Sequence, residues 1–188
     1  MNSWQAGKRA SDVYMPYVKQ ILGLHLIDEA PVEEDQQRNT DLTVLTLGAI
    51  RVAVRIRSYE KYYADYPTEF TIRAILPSGT KTELAKIIEG WGDYMFYGFG
   101  VPETKKVPAW YLLRLNVFRA YYTDYIRDNC GAEPGQLLSN GDGSKFRAYD
   151  IRELPDRLIC AKRVPPVPEP AQGALALIVP ASASKATA

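Results

Sequence analysis

The chain has 188 residues, of which 46% are hydrophobic and 24% are charged; both fractions are ordinary for a soluble globular protein. Many nucleic-acid-binding domains are strongly basic, whereas the net charge of this chain is only +1. The composition therefore neither requires nor excludes a nucleic-acid partner. The single histidine, His25, excludes a histidine-rich zinc site and argues against a Ser-His-Asp triad. Cys130 and Cys160 stand far apart, which excludes a CxxC zinc or redox motif.

Targeting and nucleotide-binding motifs are also lacking from the sequence. The N-terminal residues do not show the charged-then-apolar pattern of a signal peptide, and no apolar run approaches the roughly 20 residues of a membrane span. No Walker loop and no G-x-S-x-G elbow occurs. We therefore expect a cytoplasmic protein with no membrane partner.

The first elements in chain order are a helix and a β-hairpin. Apolar residues at helical spacing predict a helix that begins at Ser11 or Asp12 and ends at Gly23. A loop of acidic residues follows over 28–41. From Leu42 apolar residues recur at every second position, and this pattern predicts a hairpin. Its second strand runs over 50–57 and has an apolar face and a basic face.

The next elements predict a compact mixed core. The tyrosine-dense segment 59–67 is a loop or short helical turn, and alternation over 69–74 predicts a strand. A helix capped by Thr80 or Thr82 then ends at Gly90, and residues 93–99 have the character of a buried strand. The sequence thus predicts an α+β protein with a small mixed β-sheet flanked by helices.

The C-terminal part contains a long amphipathic segment, a turn and a tail. Residues 109–128 predict a helix of about five turns, although 110–115 could instead be a strand. The residues NGDG at 140–143 predict a turn, which is followed by a strand and a short closing helix. We interpret 1–163 as a single domain and the Pro/Ala/Ser-rich residues 164–188 as a disordered or loosely attached tail.

The predicted order of helix, hairpin, strand, helix and strand over residues 11–99 resembles the αβββαβ core of the PD-(D/E)XK nuclease superfamily, a restriction-endonuclease-like fold. The stretch TDLTVLTLGAIRVAVRIR is similar to its catalytic hairpin, with Asp41 in the place of the first acid. The sequence departs from the family at the acid-x-Lys triplet, where Ala53 replaces the second acid and Arg55 replaces the lysine. Arginine can contact phosphate but is a poor proton shuttle.

The resemblance implies a metal-dependent nuclease that hydrolyses DNA, with Mg²⁺ or Mn²⁺ as cofactor and an origin in a phage or mobile element. Such an enzyme activates a water on the metal and stabilises the leaving oxygen. DNA is the implied partner, and the sequence leaves open whether the protein forms a homodimer. The implied metal ligands are Asp41, Glu69 and Glu83, and the implied catalytic residues are Asp41, Glu69, Lys86 and Arg55.

Two other interpretations stay open. A catalytically inactive relative could bind nucleic acid or a protein through a face rich in arginine and tyrosine, because a row of arginines suits phosphates and tyrosine rings stack on bases. A structural or interaction protein would instead pair the row of arginines with the acidic segment Glu33 to Asp41, and helical spacing alone would make Glu83 and Lys86 a surface pair. The residues proposed for nucleic-acid binding are Arg51, Arg57, Arg73, Tyr59 and Tyr62.

Overall fold

A computed structural model describes residues 12–23, 27–29, 42–45 and 49–167. The described helices are α1 (Met15–Leu22), α2 (Tyr59–Tyr62), α3 (Glu83–Ile88) and α4 (Leu115–Asp128). The described strands are β1 (Ile27–Glu29), β2 (Leu42–Leu45), β3 (Ala49–Ser58), β4 (Glu69–Ile75), β5 (Tyr94–Val101), β6 (Lys106–Arg114), β7 (Gln136–Ser139), β8 (Lys145–Asp150) and β9 (Ile159–Arg163).

These strands form two sheets. The larger has the order β1-β2-β3-β5-β6-β9, and the smaller has the order β4-β8-β7. In the larger sheet β3 runs parallel to β5, whereas the other described neighbours pair antiparallel, so that the sheet is mixed. The smaller sheet is antiparallel throughout its described strands. The predicted α+β class with a mixed sheet and few helices is confirmed.

The larger sheet is covered on both faces. On one face Val52 and Val54 of β3 pack with Phe96 of β5 and with α1, which contributes the buried residues Met15 and Val18. On the other face alternate residues of β3, β5 and β6 join a larger core with the smaller sheet, α3 and α4. Side chains on a strand point alternately to opposite faces, so the central strands have apolar residues in both positions.

The third predicted strand, β4, does not join β2 and β3 in one sheet. It pairs with β8, and Phe70 of β4 stacks on Tyr149 of β8 with ring centroids 5.1 Å apart. Phe118 of α4 completes this aromatic group, 5.8 Å from Phe70 and edge-on to Tyr149 at 5.1 Å. The buried face of β4 therefore packs against α4, and the chain passes through β4 and α3 before it returns as β5 beside β3.

Three predicted boundaries were wrong. The helix α1 begins at Met15 with Tyr14 as its N-cap residue and no side-chain cap, rather than at Ser11 or Asp12. Residues 106–114 form strand β6 because alternate residues enter the two cores; the strand alternative for 110–115 is therefore correct up to Arg114, and the predicted long helix begins only at Leu115. The predicted closing helix consists of two short 3₁₀ turns, over 151–153 and 156–158, followed by the edge strand β9.

Other local predictions were correct. The Thr82 hydroxyl caps α3 by accepting a hydrogen bond from the Ala85 amide, 3.2 Å away. The NGDG residues form the turn between β7 and β8, where the Asn140 side-chain amide donates a hydrogen bond to the Ser144 hydroxyl at 2.9 Å. Residues 164–167, which the sequence assigned to the tail, are described, and the Pro165 carbonyl accepts a hydrogen bond from the buried Tyr63 hydroxyl.

None of the helices in the described part of the chain has the length and apolar character that crossing a membrane requires.

The contact between α1 and the larger sheet depends on a glycine. A Cβ atom on Gly100 of β5 would overlap the Tyr14 ring and lie 2.8 Å from Ile56 Cγ2. We predict that Gly100→Ala lowers the free energy of unfolding by about 1–3 kcal/mol, because overpacking forces neighbouring groups to shift. Urea denaturation measures the loss.

Gly141→Ala is the matched control, since a Cβ atom there would meet nothing within 4 Å. It should change the free energy of unfolding by less than about 1 kcal/mol. Equal stability of the two variants would show that α1 does not pack on β5 as described.

Candidate nucleic-acid interface

The residues singled out in the sequence lie on neighbouring elements. Arg51, Arg55 and Arg57 are on β3, Tyr59 and Tyr62 are on α2, Glu69 and Arg73 are on β4, and Glu83 and Lys86 are on α3. Asp41 lies outside the described residues; the residue after it, Leu42, pairs with Val52 of β3. We call the arginines 51, 55, 57 and 73 together with Tyr59 and Tyr62 the Arg–Tyr face.

The basic side of β3 turns toward the core between the two sheets. Alternation puts Arg51, Arg55 and Arg57 on the same side as Ala53, and Ala53 is 1% exposed within the larger core. The side chains of Arg55 and Arg57 are only 28% and 16% exposed. Arginine stems can cover apolar surface while the guanidinium finds a polar partner, and this face is therefore half-buried rather than openly solvated.

Glu83 joins three elements. Its Oε2 atom accepts a hydrogen bond from Arg55 Nη1 at 2.9 Å and another from the Arg73 backbone amide at 3.1 Å. The residue is in the first turn of α3, where the helix dipole also favours an acid. Through this carboxylate β3, β4 and the start of α3 are held together by charge-assisted hydrogen bonds.

Glu69 joins the two sheets. Its Oε1 atom lies 3.4 Å from Arg57 Nη1, and the same guanidinium nitrogen donates to the Tyr97 hydroxyl at 3.4 Å. The Tyr97 and Thr71 hydroxyls are 3.3 Å apart. We call the contacts of Arg55 with Glu83 and of Arg57 with Glu69 the inter-sheet ion pairs.

Burial raises the pKa of the Glu69 carboxyl above its ordinary value of 4.5, and the nearby Asp150 carboxylate adds to the increase, whereas Arg57 opposes it. For Arg57, burial by itself would lower the pKa, but Tyr97 and Glu69 together produce a net increase. The guanidinium thus stays charged in a half-buried position because acceptors surround it.

An aromatic group follows β3 directly. The Arg57 guanidinium carbon lies 3.9 Å from the centre of the Tyr62 ring, and Lys61 Nζ lies 5.2 Å from the same ring. Tyr59 stacks on Tyr63 with centroids 4.6 Å apart, which anchors α2 to the core. Tyr66 is 44% exposed, and the centre of its ring lies 6.0 Å from the Arg57 guanidinium carbon. Two cations and two accessible tyrosines therefore meet at the end of β3.

The remaining predicted residues lie at the edges of this region. The Arg51 backbone amide donates to Asp93 Oδ2 at 2.8 Å, which ties the start of β3 to the residue before β5. The Arg73 guanidinium is close enough to Asp142 to lower the pKa of that carboxyl, after the larger effect of the Ser144 hydroxyl. Lys86 is half-buried in the last turn of α3.

Glu69 and Glu83 have the oxygen ligands that Mg²⁺ prefers. Each already accepts a hydrogen bond from an arginine, so a metal ion bound to either would have to compete with a guanidinium. Within the part of the chain that the structure describes, no three carboxylate, histidine or cysteine side chains form a group that could hold a metal ion. The arrangement as it stands offers guanidinium and ammonium groups beside aromatic rings.

Sequence reasoning missed two groups. Lys61 and Tyr97 contact the Arg–Tyr face, although neither was singled out. An acidic cleft with Glu69 at one side and α4 and the smaller sheet around it was also not predicted. Its residues come from four distant segments, so no local spacing could have shown that they meet.

Compared with known proteins, the chain matches no family model, no curated protein and no solved structure.

We predict that Glu83→Ala lowers the free energy of unfolding by about 1–3 kcal/mol, because it leaves the Arg55 guanidinium and the Arg73 amide without their acceptor. Glu89→Ala is the control: its pair with Lys81 joins side chains that are 46% and 51% exposed, and it should change stability by less than about 1 kcal/mol. Urea denaturation of both variants measures the difference. Equal losses would contradict a structural role for the Glu83 contact.

The raised pKa of Glu69 predicts a pH effect of defined sign. A carboxyl whose folded-state pKa lies above its unfolded value contributes stability at low pH, and the contribution disappears as the pH rises through the folded-state pKa. The unaltered protein should therefore lose stability relative to Glu69→Gln as the pH rises from 4.5 toward neutrality. Unfolding curves across this range test the sign, and a relative gain of stability would mean that Arg57 outweighs burial.

Proposed function

We propose that this protein is a cytoplasmic nucleic-acid-binding protein that uses the Arg–Tyr face and the adjoining Lys61 and Tyr66. The observation that carries the proposal is the grouping at the end of β3, where Arg57 and Lys61 both lie over the Tyr62 ring and Tyr66 is exposed. Cationic side chains contact phosphates, and tyrosine rings stack on bases without regard to sequence. Such a surface suits a nucleic-acid strand.

The geometry favours binding over cleavage. Where the resemblance expects the second acid of the nuclease triplet, the chain has the buried methyl group of Ala53, and the inter-sheet ion pairs engage the two glutamates that could replace that acid. Removing a guanidinium from either pair would leave a half-buried charge without its partner. The same contacts keep the arginines in place, so the Arg–Tyr face is preorganised for a ligand.

One observation favours the nuclease as a second candidate. The described strand β2 begins immediately after Asp41 and pairs with β3, with Thr43 opposite Arg51. This hairpin, α3 and the parallel strand β5 support the restriction-endonuclease-like core as a proposal, whereas the pairing of β4 with β8 departs from it. In this second candidate Asp41 with Glu69 or Glu83 would hold Mg²⁺ or Mn²⁺, and Arg55 or Lys86 would face the scissile phosphate of DNA.

We expect the unaltered protein to retard a DNA duplex or single strand in a gel, with an affinity that falls as the salt concentration rises. The double variant Lys61→Ala/Tyr66→Ala should bind about tenfold more weakly and show a smaller salt dependence, because it loses one phosphate contact and one stacking ring. Both side chains are exposed, so the fold should be kept.

Lys106→Ala is the matched control, since it removes one positive charge from the exposed start of β6. Its affinity should match that of the unaltered protein. The proposal fails if neither DNA form is retarded at low salt, or if the double variant and the control bind equally well.

Plasmid DNA incubated with Mg²⁺ or Mn²⁺, and in parallel with a chelator, separates the two candidates. We expect binding without metal-dependent cleavage. Cleavage that requires the metal and disappears in Asp41→Ala would instead establish the nuclease.

A further inference from the structure

A second polar region lies where α4 meets the smaller sheet. It is a cleft of about 400 Å³, a volume suited to a small organic molecule or to one side chain of a partner. Among its described lining residues are the carboxylates of Glu69, Glu133, Asp150 and Glu153, and none is a lysine, arginine or histidine. We call this region the acidic cleft.

Three carboxylates of the acidic cleft pair with arginines that do not line it. Arg147 pairs with Glu133, and its Nη1 atom donates to the carbonyls of Pro134 and Gly135 at 3.2 and 3.0 Å. Arg152 pairs with Asp150, and Arg57 pairs with Glu69. These guanidinium groups hold three of the carboxylates in place.

Gly135 lies close to the Tyr149 ring in the lining of the cleft. Its φ of +77° is a conformation that glycine adopts easily, and a Cβ atom there would lie 2.6 Å from the Tyr149 ring. Tyr121 and Tyr125 of α4 also line the cleft, with ring centroids 5.9 Å apart. Aromatic rings beside carboxylates are the environment that organic cations prefer.

The Tyr149 hydroxyl is the independent sign of a ligand. Tyr149 is 3% exposed and lines the acidic cleft, and its hydroxyl has no hydrogen-bond partner among the described residues. A buried hydroxyl without a partner is costly and uncommon. The groups near it are Tyr122, the Arg147 guanidinium, the Glu133 carboxylate and Tyr121, and of these Glu133 and Tyr121 line the same cleft.

The electrostatics agree with the geometry. Burial raises the pKa of Tyr149, and the proximity of Tyr122 and Glu133 adds to the increase, whereas Arg147 opposes it. Burial also raises the pKa of Tyr122, as does its hydrogen bond with Glu133. These phenols stay protonated, and the negative charge of the cleft comes from its carboxylates.

We propose that the acidic cleft binds an alkylammonium group, with the Tyr149 hydroxyl and the carboxylates of Glu133 and Glu153 as hydrogen-bond acceptors. An ammonium group has three N–H donors and no acceptor, which matches these three acceptors. The ammonium group belongs either to a small free amine or to a lysine side chain of another protein. This site is negatively charged, whereas the Arg–Tyr face is positively charged. The proposal does not depend on whether the protein binds nucleic acid.

Calorimetric titration of the full chain with 1,5-diaminopentane and with Nα-acetyl-lysine methylamide tests the site. We expect saturable binding of at least one of them and none of the neutral 1-pentanol. Tighter binding of the diamine indicates a free amine as the ligand, and tighter binding of the lysine derivative indicates a partner's lysine. Absence of saturable binding of both amines overturns the proposal.

Tyr149→Phe is the decisive variant. It keeps the ring that stacks on Phe70 and removes the hydroxyl without a partner, so its melting temperature should equal or exceed that of the unaltered protein. Its affinity for the better amine should nevertheless fall about tenfold, as expected for loss of a hydrogen bond to a charged group. A purely structural tyrosine would leave amine binding unchanged, and that result would overturn the proposal.

Glu153→Gln should also weaken amine binding, since it removes a charge from the cleft. Asp156→Asn is its control, because Asp156 is an exposed acid on the next 3₁₀ turn and does not line the cleft. Equal weakening in both variants would indicate only a general attraction to the negative charge of the protein and would overturn the site.

Discussion

The arrangement of the two sheets depends on the arginines that β3 directs into the space between them. Ala53 on the same face is almost fully buried, so this face cannot simply turn toward water. A half-buried guanidinium requires acceptors, because burying a charge without a partner is costly. Glu69 of β4 and Glu83 of α3 supply these acceptors and thereby fix the smaller sheet and α3 against the larger sheet.

This requirement limits what the region can do. The carboxylates that a metal ion would need already neutralise the charges of the arginines. A metal ion would therefore compete with the ion pairs for the same oxygen atoms. The end of β3 differs, because there Arg57 and Lys61 contact a tyrosine ring and Tyr66 reaches the surface. Lys61 and Tyr66 belong to neither inter-sheet ion pair, so a ligand that contacts them leaves both pairs intact, which is the physical reason for preferring the binding proposal.

Glu69 links the two polar regions of the molecule. Glu69 contacts Arg57 and also lines the acidic cleft. Asp150, which pairs with Glu69 in the β4–β8 register, lines the same cleft. Like charges placed opposite each other on neighbouring strands repel, which contributes to the raised pKa of Glu69. The Glu69 carboxylate thus contacts the Arg57 guanidinium and also lines the cleft of the proposed ammonium site.

Local patterns in the sequence determined the α+β class, the β2–β3 hairpin, the Thr82 cap of α3, the strand β5 and the turn at 140–143, because period and capping depend on adjacent residues. The strand β6 was ambiguous, since its apolar residues enter cores on both faces of the sheet and mimic a helical stripe. Only the tertiary structure decided that β4 joins β8, that the arginines pair with Glu69 and Glu83, and that the acidic cleft exists. Those contacts join residues that are distant in the chain, and they depend on packing and desolvation, which no local spacing encodes.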